Sequence, residues 1–239
     1  MSGQVKRWLG LTSGEETFAN PRRTARYASG LIAAVVLLAF LIPDGPLRLD
    51  ERWARLMEDI EGSLLTHVAL VFNAIGHGIL RALTTAGVGL ALLIRHRRAA
   101  LLAFVLAEAL TPLLVNLIKL LVGRERPPAA MIEAHGSSYP SGHAAYAGAT
   151  AMILVLLFTE PGRHRRVWWF AAGVATVGMV WSRTYLHVHW LSDAVAGAAL
   201  GVGVALLSFA VVQILSTRSR EEDDQASRPI AASASSTSS

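Results

Sequence analysis

The chain has 239 residues, 53% of them hydrophobic and 16% charged, with no cysteine and a formal charge of +5. A mean hydropathy of +0.43 is above that of ordinary soluble domains, and the missing cysteines exclude disulfides and thiolate chemistry. The basic excess sits in short clusters between apolar runs, which is a membrane-topology pattern and argues against nucleic acid as a partner.

In chain order, residues 1–26 form a polar leader carrying Lys6, Arg7, Arg22, Arg23 and Arg26. The apolar run that follows lies too far from the start for a cleaved signal. It is succeeded by Pro43-Asp44-Gly45-Pro46 with no small-residue cleavage pattern, so it reads as a retained first span. Six spans are expected, at about 27–42, 78–94, 99–122, 143–158, 167–181 and 190–215. With no water available to the backbone, each should be a helix. Between the first two, from Leu47 to Asn73, Asp, Glu and Arg alternate with Leu, Trp and Met. This stretch predicts one or two amphipathic helices lying at the surface. From Arg218 to Ser239 an acidic run gives way to Ala and Ser, which predicts disorder. The expected fold is therefore an all-α, integral membrane six-helix bundle over 27–217, with a surface amphipathic insertion and a short tail.

Charge sets the expected orientation. Arg95, Arg97 and Arg98 follow the second span, Arg163, Arg165 and Arg166 the fourth, and Arg218 and Arg220 the sixth. Alternate connections are thus basic, like the leader, and the positive-inside bias places both termini in the cytoplasm of a multi-pass cell-membrane protein.

Three polar groups then fall on the opposite, extracytoplasmic side. Lys119 and Arg126-Pro127 end the third span, and Pro140-Ser141-Gly142-His143 opens the fourth. Ser182-Arg183 closes the fifth, with His189 and Asp193 opening the sixth. Three cations at one surface call for an anion, and guanidinium forks with a lysine suit the oxygens of a phosphate. Ser141 and Gly142 before a helix add N–H donors backed by the helix dipole. His189 and Asp193 are four apart and share a helical face, so the carboxylate can hold the ring in the tautomer that leaves one nitrogen free to attack. His143 is then available as a general acid.

The sequence Lys119-x6-Arg126-Pro127, Pro140-Ser141-Gly142-His143, Ser182-Arg183-x5-His189-x3-Asp193 resembles the type 2 phosphatidic acid phosphatase superfamily, with all three motifs in order. The resemblance implies a six-helix membrane bundle acting on lipid phosphates or polyprenyl diphosphates without metal or other cofactor. It implies His189 as the nucleophile of a phosphohistidine intermediate, Asp193 as its orienting partner, and His143 as acid and then base. Lys119, Arg126, Arg183, Ser141 and Gly142 would hold the phosphoryl oxygens. Departures from the pattern are His187, where many relatives have glycine and which puts a third imidazole near the site, and Leu191 in place of proline.

Other readings stand beside this one. The histidines at 143, 187 and 189 with Asp193 have the chemistry of a zinc site. A phosphotransferase acting between lipids and an anion-binding transporter share the basic mouth. Glu108 in the third span reads as a protonated, hydrogen-bonded carboxyl, Arg81 as a residue reaching lipid phosphate, and Arg124 and Glu125 as solvent-facing or locally paired. Headgroup, chain length and oligomeric state are not encoded in these motifs.

Overall fold

A computed structural model describes residues 20–159 and 163–226. Among them are eight helices and no strand: α1 Pro21–Leu41, α2 Arg48–Asp59, α3 Ser63–Ile75, α4 Gly78–Ile94, α5 Arg98–Val122, α6 Gly142–Phe158, α7 Arg163–Tyr185 and α8 Leu191–Ala226. Local signals set several ends. Asn20 caps α1 by accepting from the Arg23 N–H, with Pro21 in the first turn where no donor is missed. Gly123 ends α5 at φ 64°, the left-handed conformation that glycine adopts without cost, and turns the chain toward Arg124 and Arg126.

Three helices, α1, α5 and α8, are long and apolar enough to cross a membrane. The exterior fits that solvent, because Leu37, Phe40, Leu83, Leu120, Phe170 and Val177 all point outward. Over its described residues the chain is all-helical, and it is a multi-pass membrane protein.

The structure refines two expectations. Of the one or two amphipathic helices expected over 47–73, α2 is charged and amphipathic, but α3 is apolar and pairs with α4 across a 51° break, the two long and apolar enough to cross a membrane only together. The Ser182 hydroxyl of α7 donates to the Ala69 carbonyl of α3, and Phe72 packs where a Cβ on Gly178 would sit, so α3 is anchored to α7. At the other end, α8 runs through Arg218 to Ala226, past the point where disorder is predicted; residues 227–239 lie outside the described residues. Glu, Asp, Gln and Arg are tolerated in a helix already nucleated by the packed turns before them.

Helix α8 is the central element, packing on α6, α1, α5 and α7. Its contact with α6 is made of small residues on both sides. A Cβ at Gly201 would overlap the Ala145 carbonyl, one at Gly197 the Ser141 carbonyl, and one at Gly148 the Ala198 carbonyl. Close backbone approach of this kind is how helices associate where hydrophobic burial offers no drive between them. The first turns of α6 and α8 are thereby fixed side by side.

Candidate active site

The ends of α5, α6, α7 and α8 meet around one cavity of about 470 Å³. Its lining includes Lys119, Arg126, Arg183, His143, His189 and Gly142 of the expected set, together with Asn73, His77, Asn116 and residues 132–135. Ser141 does not line it. That residue is fully buried as the N-cap of α6, its hydroxyl accepting from the Ala144 N–H and its own N–H donating to the Asp193 carbonyl. Of the Ser141-Gly142 pair, only Gly142 faces the cavity.

The four basic side chains near the site divide into two kinds. Arg124, expected in solvent or in a local pair, is instead buried. Its guanidinium donates to Asp193 Oδ1 and to Asp50 Oδ2 at 2.9 Å, to Ser192 Oγ at 2.8 Å and to the Gly45 carbonyl at 3.0 Å. Burial opposes the charge on Asp50, but the N–H groups of Ser192 and Leu47, the Arg124 guanidinium and the Ser192 hydroxyl outweigh it and hold the carboxyl below its ordinary pKa. Arg124 is thus neutralised by two carboxylates. Lys119, Arg126 and Arg183 are held by neutral acceptors. Lys119 Nζ donates to the Ser137 carbonyl at 2.6 Å, and Arg126 donates to the carbonyls of His135, Gly136, Ser137 and Val188. Arg183 donates to the Asn73 side-chain oxygen. Among the described residues none of these three has a carboxylate within ion-pair distance, so their positive charge remains available to an anion in the cavity.

His189 is held differently from the expectation. Its Nδ1 lies 2.8 Å from the Ser138 carbonyl and 4.0 Å from Asp193 Oδ2. The direct partner that fixes the tautomer is therefore the Ser138 carbonyl, which accepts from Nδ1–H and leaves Nε2 unprotonated. That Nε2 lies 3.3 Å from Arg126 Nη1, on the cavity side. Asp193 stands behind, organising the loop: its Oδ2 accepts from the Ser138 hydroxyl and from the Trp190 N–H at 3.0 Å. Burial, and after it the charges of Arg126, Lys119 and Arg183, push the His189 pKa well below the ordinary value; the Ser138 carbonyl acts weakly in the opposite sense. The ring therefore stays neutral at a pH where an ordinary imidazole begins to take a proton.

His143 faces the same cavity, its ring stacked on His77 with centroids 5.5 Å apart and planes 6° from parallel. His187, expected as a third imidazole near the site, is turned away. At φ 50° its side chain leaves the cavity and pairs with Glu61 at 3.2 Å. The set of His143, His187, His189 and Asp193 consequently does not converge, and among the described residues no three His, Asp or Glu side chains are placed to share a metal ion. Glu108 accepts from Thr150 at 2.7 Å, within the helix packing, and Arg81 lies over the Tyr146 ring at 4.4 Å.

Sequence reasoning missed Ser138, Asp50, Asn73 and His77. Ser138 acts through its carbonyl, which every residue has, and Asp50 and Asn73 are brought in by long-range packing, so no local signal marks any of these three. His77 is the exception: a histidine beside two glycines at the start of a predicted span, Gly76-His77-Gly78, is a signal that was there to be followed.

Known proteins resemble the chain over the stretch that holds most of these residues. The sequence profile of the PAP2 superfamily matches residues 100–216. Over 80 residues the chain is 40% identical to an undecaprenyl-diphosphatase of Sulfolobus acidocaldarius, covering 34% of each chain. It is 33% identical over 111 residues to a lipid A 1-phosphatase of Porphyromonas gingivalis, covering 46% of this chain and 23% of that one. It is 30% identical over 95 residues to phosphatidylglycerophosphatase B of Bacillus subtilis, covering 38% and 47%. The chain thus spans less than half of the length of each of these curated relatives. In fold it is similar to a PAP2-type phosphatidylglycerolphosphate phosphatase of Bacillus subtilis, with a TM-score of 0.62 at 23% identity over 83% of this chain and 96% of that one. It is also similar to LpxE of Aquifex aeolicus, with a TM-score of 0.57 at 23% identity over 68% and 95%. Its motif residues are gathered in the matched region, and over residues 100–216 the chain is similar to the PAP2 superfamily.

Proposed function

We propose that the protein is a membrane phosphatase that hydrolyses a lipid phosphate or polyprenyl diphosphate through a phosphohistidine on His189. The observation that carries this reading is the cavity itself: three cations with neutral partners converge on two imidazoles, one of them with an unprotonated Nε2 beside the Arg126 guanidinium. In the first step the Nε2 lone pair attacks phosphorus and the P–O bond to the lipid breaks. His143 gives a proton to the departing oxygen, and Lys119, Arg126 and Arg183 with the Gly142 N–H hold the charge on the phosphoryl oxygens. In the second step His143 takes a proton from water, whose oxygen attacks phosphorus. The P–N bond breaks, and inorganic phosphate leaves with His189 restored. Asp193 keeps Ser138, and through its carbonyl the ring, in register.

An extracytoplasmic site and cytoplasmic termini complete the reading. The cavity is formed at one set of helix ends, whereas Arg22, Arg23 and Arg26, Arg95 to Arg98, Arg165 and Arg166, and Arg218 belong to the opposite ends. Positive charge close to a span resists translocation, which keeps those ends inside. The relatives named for undecaprenyl diphosphate, lipid A and phosphatidylglycerophosphate support a lipid-linked substrate.

The decisive experiment measures phosphate release by purified protein from phosphatidic acid, phosphatidylglycerol phosphate and a polyprenyl diphosphate, with His189→Ala alongside. Release by the wild type and none by His189→Ala is expected. Equal release by the two would overturn the nucleophile, and no release from any member of the panel would overturn the phosphatase.

A further inference from the structure

Asn73 and His77 line the cavity but come from outside residues 100–216 and outside the three motifs. They flank the break at which α3 turns by 51° into α4. Three contacts tie this bend to motif residues. Asn73 Oδ1 accepts from Arg183 Nη1, His77 stacks on His143, and a Cβ at Gly76 would lie 2.8 Å from His143 Cδ2, so the backbone approaches the imidazole as closely as glycine allows.

The chemistry of the Asn73 acceptor is informative. Arg183 is 3% exposed, and a guanidinium buried that deeply for stability alone needs carboxylate partners, as Arg124 has in Asp50 and Asp193. An amide oxygen fixes the direction of one N–H and leaves the formal charge whole. The pairing is also mechanically secure. Asn73 belongs to α3 and Arg183 to α7, and the two helices are joined beside the pair by the Ser182–Ala69 hydrogen bond at 2.7 Å and by Phe72 seated against Gly178.

We propose that the α3–α4 bend is an active-site element in which Asn73 is a positioning residue, orienting Arg183 toward the phosphoryl group without neutralising it. The identity of the anion rests on the phosphatase reading. Asparagine and aspartate have nearly the same shape, so Asn73→Asp keeps the acceptor in place and adds the charge that asparagine withholds. A purely structural role would tolerate that change or gain from it; an anion-orienting role would not.

The test is calorimetric titration of inorganic phosphate into the purified full-length protein in detergent, with thermal melting of each variant. Asn73→Asp is expected to melt near the wild type and to lose phosphate affinity by at least about 10-fold, approaching Arg183→Ala. Asn73→Ala is expected to weaken phosphate binding in the wild-type background and to add no loss to Arg183→Ala, because it acts through that residue. Wild-type phosphate affinity in Asn73→Asp overturns the proposal. Equal losses from Asn73→Ala with and without Arg183 overturn it as well, and that arm stands even if the aspartate variant does not fold. Failure of the phosphatase reading looks different: a wild type that binds phosphate but releases none from the lipid panel loses the activity and keeps the Asn73–Arg183 coupling.

Discussion

The small-residue seam between α6 and α8 predicts that one methyl group placed outside the cavity slows catalysis. Gly197 lies one turn beyond Asp193 on α8, and a Cβ there would fall 2.2 Å from the carbonyl oxygen of Ser141, the residue that caps α6 two positions before His143. A carbon resting on a carbonyl oxygen needs about 3.3 Å, so Gly197→Ala forces the first turns of α6 and α8 apart by about 1 Å. Overpacking of this size costs about 1–3 kcal/mol, which leaves the bundle folded at moderate temperature. The separation between His143 and His189 changes with it, and a misplacement of about 1 Å costs roughly 100-fold in rate. Steady-state kinetics on the lipid substrate should show kcat down by about that factor while KM changes little, because Lys119 and Arg183 belong to α5 and α7. Gly173→Ala is the control: nothing lies within 4 Å of its added Cβ, and a gain of about 0.5–1 kcal/mol with unchanged kcat is expected. Wild-type kcat in Gly197→Ala would refute the argument, because it would mean that the two imidazoles are not held in register by this seam.

Three further outcomes follow from the site. Arg124→Met strands Asp50 and Asp193 in the interior and should destabilise the protein by about 3–5 kcal/mol, whereas Arg126→Met, which removes a cation with no carboxylate partner, should leave the melting temperature nearly unchanged and abolish turnover; the reverse ranking in thermal melts would contradict the division of the cations. Because the His189 pKa is held well below its ordinary value of about 6.5, the imidazole proposed as the nucleophile stays neutral as pH falls through 6.5, and the acid limb of kcat/KM should lie below that pH and rise toward it in Lys119→Met; a limb at 6.5 in the wild type would show that burial and the cations do not reach the ring. A cysteine at the exposed Ala130 should react with an impermeant maleimide in intact cells and one at the exposed Arg95 only after lysis; the opposite pattern would move the chemistry to the cytoplasmic face.

What the sequence made legible, and what it did not, follows the range of the forces involved. The α4 bounds coincide with the predicted span 78–94, and α5 and α6 begin one residue before their predicted starts, because apolar runs ended by charge or glycine are local signals. Within the matched region the cavity-lining motif residues were also legible, since fixed spacings carry them. Arg124 was not. It lies two residues before Arg126 and has the same side chain, and only the folding of Asp50, 74 positions earlier, against it makes one a buried structural cation and the other a free one. The role of α3 was hidden for a related reason. Charges in α2 colour the whole segment, and the contacts of Ala69 and Phe72 with α7 that make α3 part of the bundle are tertiary. His187 was misplaced because a single left-handed backbone angle, φ 50°, reverses the direction of its side chain.

Three cations that share one cavity, none of them ion-paired among the described residues, also bear on how a catalytic cycle ends. Whatever holds the phosphoryl group of a substrate holds inorganic phosphate as well, with one more oxygen to grip and no lipid chain drawing it away. On the phosphatase reading, product escape competes with chemistry for the slowest step, as it does in many enzymes with strongly organised sites. The open compartment's phosphate level then acts back on the enzyme: where phosphate is scarce the cavity empties and turnover is free, and where it is abundant the same grip becomes a brake.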